Sequence, residues 1–190
     1  MRKLELLAPA RDLACGLAAI DHGADAVYIG AEHFGARAAA GNSLADIAAL
    51  CTHAHQFGAR VYVTVNTIVY EQELAATRQL VTDLSRIGVD AMLVQDMGML
   101  ELRREALARV GRAPLLHAST QCDTRSAEKV EWLRRLGFAR AVLARELSLE
   151  EIEAIHKAVP DIELEVFVHG ALCVSYSGVC YASQYCFGRS

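Results

Sequence analysis

Gly58-Ala59-Arg60-Val61-Tyr62-Val63-Thr64-Val65-Asn66 holds one unit of the fold. A glycine comes first, then a continuous apolar run, then a polar residue. The run is too short for a helix and does not alternate, as expected for a strand covered on both faces. Glycine just before it suits a helix C′ position, where positive φ is needed. The same unit recurs along the chain. Gly23, Gly88, Gly111 and Gly137 precede further runs by a few residues. The predicted strands are Leu4–Leu7, Ala26–Ile29, Val61–Val65, Ala91–Val94, Leu115–Leu116, Ala141–Leu143 and Glu165–Val168. Predicted helices fill the gaps at 11–22, 43–57, 71–87, 97–109, 124–136 and 148–158. Ser148-Leu149-Glu150-Glu151 reads as a capping box, and Ser43-Leu44-Ala45-Asp46 as a looser one.

Seven strands alternating with six helices predict an α/β protein of the TIM-type (β/α)8 barrel, here with about seven units. A doubly wound sheet is the alternative, weakened because no G-x-G-x-x-G follows the first strand. An eighth unit is expected beyond Ser190. The expected division is a barrel core over 1–169 and a cysteine-containing loop over 170–190.

Composition agrees with a globular chain. The 190 residues are 53% hydrophobic and 22% charged, with a net charge of −4. That excludes a disordered chain and a small disulfide scaffold, and argues against a generic nucleic-acid-binding surface. Arg103 to Arg145 carries ten Lys and Arg against four Asp and Glu. Phosphate contact is one reading, and solvated helix faces with cations near C-terminal turns the favoured one. The N-terminus has no long apolar run, so no secretory signal is read. Val166 to Gly188 contains no Asp, Glu, Lys or Arg, but Gly, Ser, Gln, Tyr and His interrupt it, so it is not read as a membrane span. A cytoplasmic protein with reduced thiols is expected.

In a barrel, chemistry sits where the strands end. The polar residues there are Asp12, Asn66, Gln95, Asp96, His117, Ser119, Gln121, Arg145, Glu146 and His169. Capping of helices and satisfaction of loop backbone is the plainer role for such residues. Asn66, Gln95, Asp96 and Ser119 are candidates for substrate contact. His117, Gln121, Arg145, Glu146 and His169 are candidates for catalysis, with Arg145 suited to a carboxylate or phosphate. His53 and His55 are two apart on a helix and make a poor metal pair. Protease and P-loop motifs are absent, and a His117–Ser119 nucleophile pair is weak.

Cys173 and Cys180 lie in the loop after the last predicted strand. Their C-x6-C spacing matches no standard metal motif, and alone it favours free thiols. Thiolates are nevertheless the usual iron–sulfur ligands, and Ser175, Ser177 and Gly178 would allow close wrapping. Cys15 and Cys51 read as core residues, and Cys122 as one facing the barrel mouth.

Glu165-Val166-Phe167-Val168-His169-Gly170-Ala171-Leu172-Cys173, followed by Ser177-Gly178-x-Cys180, resembles the signature of the peptidase U32 family. Glu5–Ala10, Gly23–Tyr28, Val63–Thr67 and Leu143–Ser148 extend the resemblance. Pro9–Asp12, Phe34–Arg37, Asn42–Ile47, Val94–Gly98 and His117–Asp123 resemble the members that form 5-hydroxycytidine in 23S ribosomal RNA. The resemblance implies an enzyme that hydroxylates a cytidine of ribosomal RNA without O2, with a small-molecule co-substrate such as prephenate. It also implies a [4Fe–4S] cluster with Cys173 and Cys180 as two of four ligands, the other two being expected beyond Ser190. Cys186 departs from the family pattern. A collagenase-like peptidase, hydroxylation of tRNA uridine or of a ubiquinone precursor, and a non-catalytic RNA-binding module are the alternatives.

Overall fold

The computed structural model describes residues 4–31, 41–170, 173–181 and 185–186. It divides into two compact units, Met1–Leu115 and Leu116–Ser190. Phe34–Arg37 lies outside the described residues.

In the first unit β1 (Leu7–Ala10), β2 (Ala26–Gly30), β3 (Arg60–Val65) and β4 (Ala91–Val94) pair in chain order, all parallel. Helices α1 (Leu13–Asp21), α2 (Leu44–Gln56), α3 (Leu74–Ile87) and α4 (Met99–Val110) alternate with them. β4 is buried at all four positions, and Val61, Tyr62 and Val63 of β3 are equally inaccessible. Burial on both faces explains why these runs are apolar without alternation. Ile47, Leu50, Cys51 and Ala54 form the buried stripe of α2. A β-carbon on Gly16 of α1 would sit 2.8 Å from Leu50 Cδ1, so a small residue there lets the two helices close together. The buried face of α3 includes Thr77, Thr82 and Ser85. Their hydroxyls donate to the carbonyls four residues back, at 2.9, 2.9 and 2.7 Å, so burial leaves no donor unmet.

In the second unit β5 (Leu115–Ala118, beginning one residue before the boundary), β6 (Arg140–Val142) and β7 (Glu163–Glu165) are again parallel and sequential. Helices α5 (Ala127–Arg135) and α6 (Leu149–Ala158) connect them. The described strands number seven, as counted in the sequence, in the strict alternation of the (β/α) barrel class. All five glycines assigned to C′ positions have positive φ, from 69° at Gly58 to 96° at Gly23. Both capping boxes form, Ser43 with Asp46 and Ser148 with Glu151.

Two strands start more than one residue from where the sequence places them. β1 begins at Leu7 because Asp25 and Ala26 donate to the Leu6 carbonyl, fixing Leu7 opposite Ala26. Leu4 and Leu6 are consequently exposed. Pro9 is tolerated in β1 because the described pairings give that strand a single neighbour. β7 ends at Glu165, and Val166, Phe167 and Val168 leave the sheet exposed. Buried Arg140 sets that register, with Nε 2.9 Å from Glu163 and Nη1 3.3 Å from Glu165.

The basic stretch is mostly consumed by local pairing. Arg104 pairs with Glu101, Arg134 and Arg135 with Glu131, and Arg112 donates to the Ser85 carbonyl. His53 and His55 turn to different carboxylates, Asp21 at 2.7 Å and Asp90 at 3.0 Å. Among the described residues no helix is long and apolar enough to cross a membrane.

Candidate active site at the strand ends of the second unit

The loops after β5 and β6 meet the cysteine strap over 173–180. After β5, buried Ser119 caps a 3₁₀ turn at Thr120–Cys122, its Oγ accepting the Gln121 N–H at 3.3 Å. The turn ends at Asp123, whose φ of 51° reverses the chain. Lys129 holds the turn closed by donating to the Cys122 carbonyl and, at 3.2 Å, to that of Asp123. Thr124 then bridges to Leu143 beyond β6, with the Ala144 N–H donating to the Thr124 carbonyl at 2.9 Å. Helix α5 therefore starts at Ala127, capped by Ser126, and not at 124.

After β6 come Arg145 and Glu146, and both reach the strap. Arg145 Nη2 donates to the Ser175 carbonyl at 3.0 Å. Its backbone N–H and Nε donate to Ser177 Oγ at 3.3 and 3.4 Å. Glu146 Oε1 accepts the Ser177 N–H at 2.8 Å. Arg125 donates to Asp123 at 2.5 Å, lies 3.6 Å from Glu146, and sits 5.8 Å above the Tyr176 ring. Gly178, at φ +79°, packs so close that a β-carbon would stand 2.9 Å from the Gln121 carbonyl oxygen. A strap without helix or strand ladder thus has partners for its backbone from side chains of the strand ends.

The two cysteines share one residue. Ser175 Oγ donates to Cys180 Sγ at 3.5 Å. The Ser175 backbone N–H and the nearby Arg145 guanidinium favour the charged form of Cys173 and hold that thiol below its ordinary pKa. Cys122 contrasts with it, since burial pushes its thiol up to about 11 despite nearby Lys129. Cys51 is a core thiol, raised to about 12 by burial. Burial opposes ionisation of Glu146, but the Ser177 N–H and hydroxyl and the Arg125 charge outweigh it and hold the carboxyl below its usual value. None of the six cysteines is in a disulfide.

Of the sequence-derived candidates, the second unit gathers Gln121, Arg145, Glu146, Cys173 and Cys180 around this strap. The Gln121 Oε1 is buried with no hydrogen-bond partner among the described residues. His117 is buried within β5, opposite Arg140 in the register. His169 is exposed beyond β7, because that strand ends four residues earlier. Asn66, Gln95 and Asp96 belong to the first unit, following β3 and β4. There Asp96 brackets two loops, accepting from the Val69 N–H at 3.0 Å and the Gly98 N–H at 2.7 Å. Arg125 and Asp123 escaped the sequence reading, which had no way to show that a loop fifty residues on would lie across them.

Residues 11–190 match the profile described as peptidase family U32. The chain belongs to peptidase family U32. This U32 chain is 55% identical over 188 residues to the 23S rRNA 5-hydroxycytidine C2501 synthase of Escherichia coli K12, covering 99% of the chain and 28% of that protein. It is 37% identical to the tRNA hydroxylation protein P of the same organism, covering 97% of the chain and 40% of the relative. The chain therefore spans less than half the length of either. Among solved structures, the U32 peptidase Mk0906 superposes with a TM-score of 0.67 at 18% identity, covering 87% of this chain and 70% of that one. That likeness supports the barrel fold.

Proposed function

We propose that this chain is the cysteine-bearing barrel part of an enzyme that hydroxylates a cytidine of 23S ribosomal RNA at C5. The single observation that carries the reading is the strap on which Ser175, two residues after Cys173, donates to the Cys180 sulfur, found in a chain 55% identical to a protein named for that reaction. The donor set suits an iron–sulfur cluster: two soft sulfur ligands on one strap whose small residues Ser175, Ser177 and Gly178 allow close approach. Such clusters are usually held by four cysteines, of which these two thiols would supply half. When bound, a [4Fe–4S] cluster supplies one-electron chemistry that no side chain offers.

The chain's own residues would bind and orient. Cytosine must be unstacked to be reached, and its exocyclic amine is a donor. The buried Gln121 Oε1 is an acceptor whose partner that amine would be. A small co-substrate such as prephenate belongs to the same reading, as does a cytoplasmic location.

The test is replacement of the chromosomal copy by Cys173→Ser and Cys180→Ser variants, with 5-hydroxycytidine in ribosomal RNA measured by mass spectrometry. Both variants should lose the modification. Retention of the nucleoside in either variant overturns the reading, as does its absence from the parent strain.

A further inference from the structure

We propose that Arg145 and Glu146 are positioning residues that clamp the strap and so fix the spacing of Cys173 and Cys180. The proposal rests on reading the two cysteines as soft-metal ligands. Its basis is where these two side chains spend their hydrogen bonds. Arg145 donates to the Ser175 carbonyl, and Glu146 accepts the Ser177 N–H, two residues further on. Neighbours at the end of β6 therefore hold the two sides of Tyr176. Ser177 Oγ accepts twice more from Arg145, from the backbone and from Nε. Ser175, whose carbonyl Arg145 holds, also donates its hydroxyl to the Cys180 sulfur at 3.5 Å, and Cys173 lies two residues before it.

The Cys180 thiol is thus one hydrogen bond, and Cys173 two residues of chain, from a residue that the clamp holds. Gly178 closes the far side against the backbone of Gln121. Arg125 stiffens the arrangement from below, through Glu146 and the Tyr176 ring. A guanidinium is suited to this task, because its planar donor fork points in fixed directions. Strap backbone that would otherwise need water is satisfied by the barrel rim. The pair of sulfurs is set before any metal arrives, as outer-shell partners set the ligands of metal sites. Arg145, which by sequence suits a carboxylate or phosphate, and Glu146, a candidate for catalysis, act instead through the cysteines.

Anaerobic titration of the reduced 190-residue chain with cadmium(II) tests this, read by the sulfur-to-cadmium charge-transfer absorbance. The parent chain should show the band intensity of two thiolates, and Cys173→Ser or Cys180→Ser that of one. Cys186→Ser should leave the band unchanged. Arg145→Gln and Glu146→Gln should weaken cadmium binding about 10- to 100-fold, the usual effect of losing an outer-shell partner. Arg145→Lys, which keeps the charge without the fork, should fall between parent and Arg145→Gln. Helical circular dichroism should match the parent in all of them. Should Arg145→Gln fail to fold, Glu146→Gln carries the test. Parent-like affinity in whichever of the two folds overturns the clamp. A parent band indifferent to both cysteine changes overturns instead the reading of the cysteines as ligands.

Discussion

Gly178→Ala should release the cysteine strap while leaving the barrel body folded. Two costs combine at this position. Its φ of +79° lies in the left-handed region, which costs a non-glycine residue about 1 kcal/mol or more. The new β-carbon would stand 2.9 Å from the Gln121 carbonyl oxygen and 3.0 Å from Asp123 Cβ. Neither is the end of a flexible side chain, so the overlap is not relieved by a rotamer change. Overpacking of that kind costs about 1–3 kcal/mol. The sum, about 2–4 kcal/mol, rivals the whole return of the four hydrogen bonds from Arg145 and Glu146 to the strap, at about 1 kcal/mol each. The strap should therefore lift. Amide hydrogen exchange reads this directly, because the Ser177 N–H donates to Glu146 only when the strap is docked. Since 1.4 kcal/mol is a factor of ten, its protection should fall by about 30-fold or more, with core amides such as Val63 unchanged. Parent-like protection at Ser177 would refute the docking geometry.

Three further outcomes follow from the packing. Arg140→Met should destabilise the protein by about 3–5 kcal/mol in urea unfolding, because Glu165 keeps a largely buried carboxylate without its guanidinium. Leu50→Ala should cost about 2–5 kcal/mol in the same assay, the cavity lying between α1 and α2. Asp12 caps α1, and the Cys15 N–H and Arg11 hold its carboxyl at about 2, below its ordinary 3.8. A lowered folded pKa means its contribution is complete above pH 3.8 and is lost as pH falls towards 2. Thermal melts of Asp12→Asn should therefore fall less steeply than the parent between pH 5 and pH 2.

The alternation of strands and helices was legible because double-sided burial and glycine C′ positions are local properties. Gly88 shows this, since it ends α3 with a left-handed residue and Val89 follows at once into the core. Strand ends were less legible because register is set at a distance. β7 stops at Glu165 through Arg140, twenty-five residues earlier, although Val166, Phe167 and Val168 are better strand formers. The site was legible as a set of polar residues and as a cysteine pair. Its internal wiring was not. Arg145 and Glu146 read as rim residues facing a ligand, whereas their partners Ser175 and Ser177 are thirty residues on. Ser119 and Asp96 similarly spend hydrogen-bonding capacity on nearby backbone, as polar residues at strand ends often do.

The most direct measurement is the iron and acid-labile sulfide content of the protein expressed from its complete gene and purified without oxygen, beside its Cys180→Ser variant. A brown parent containing iron and sulfide, and a colourless variant depleted of both, is the expected result. A colourless, iron-free parent that still restores 5-hydroxycytidine to ribosomal RNA would contradict the assignment of Cys173 and Cys180 as cluster ligands.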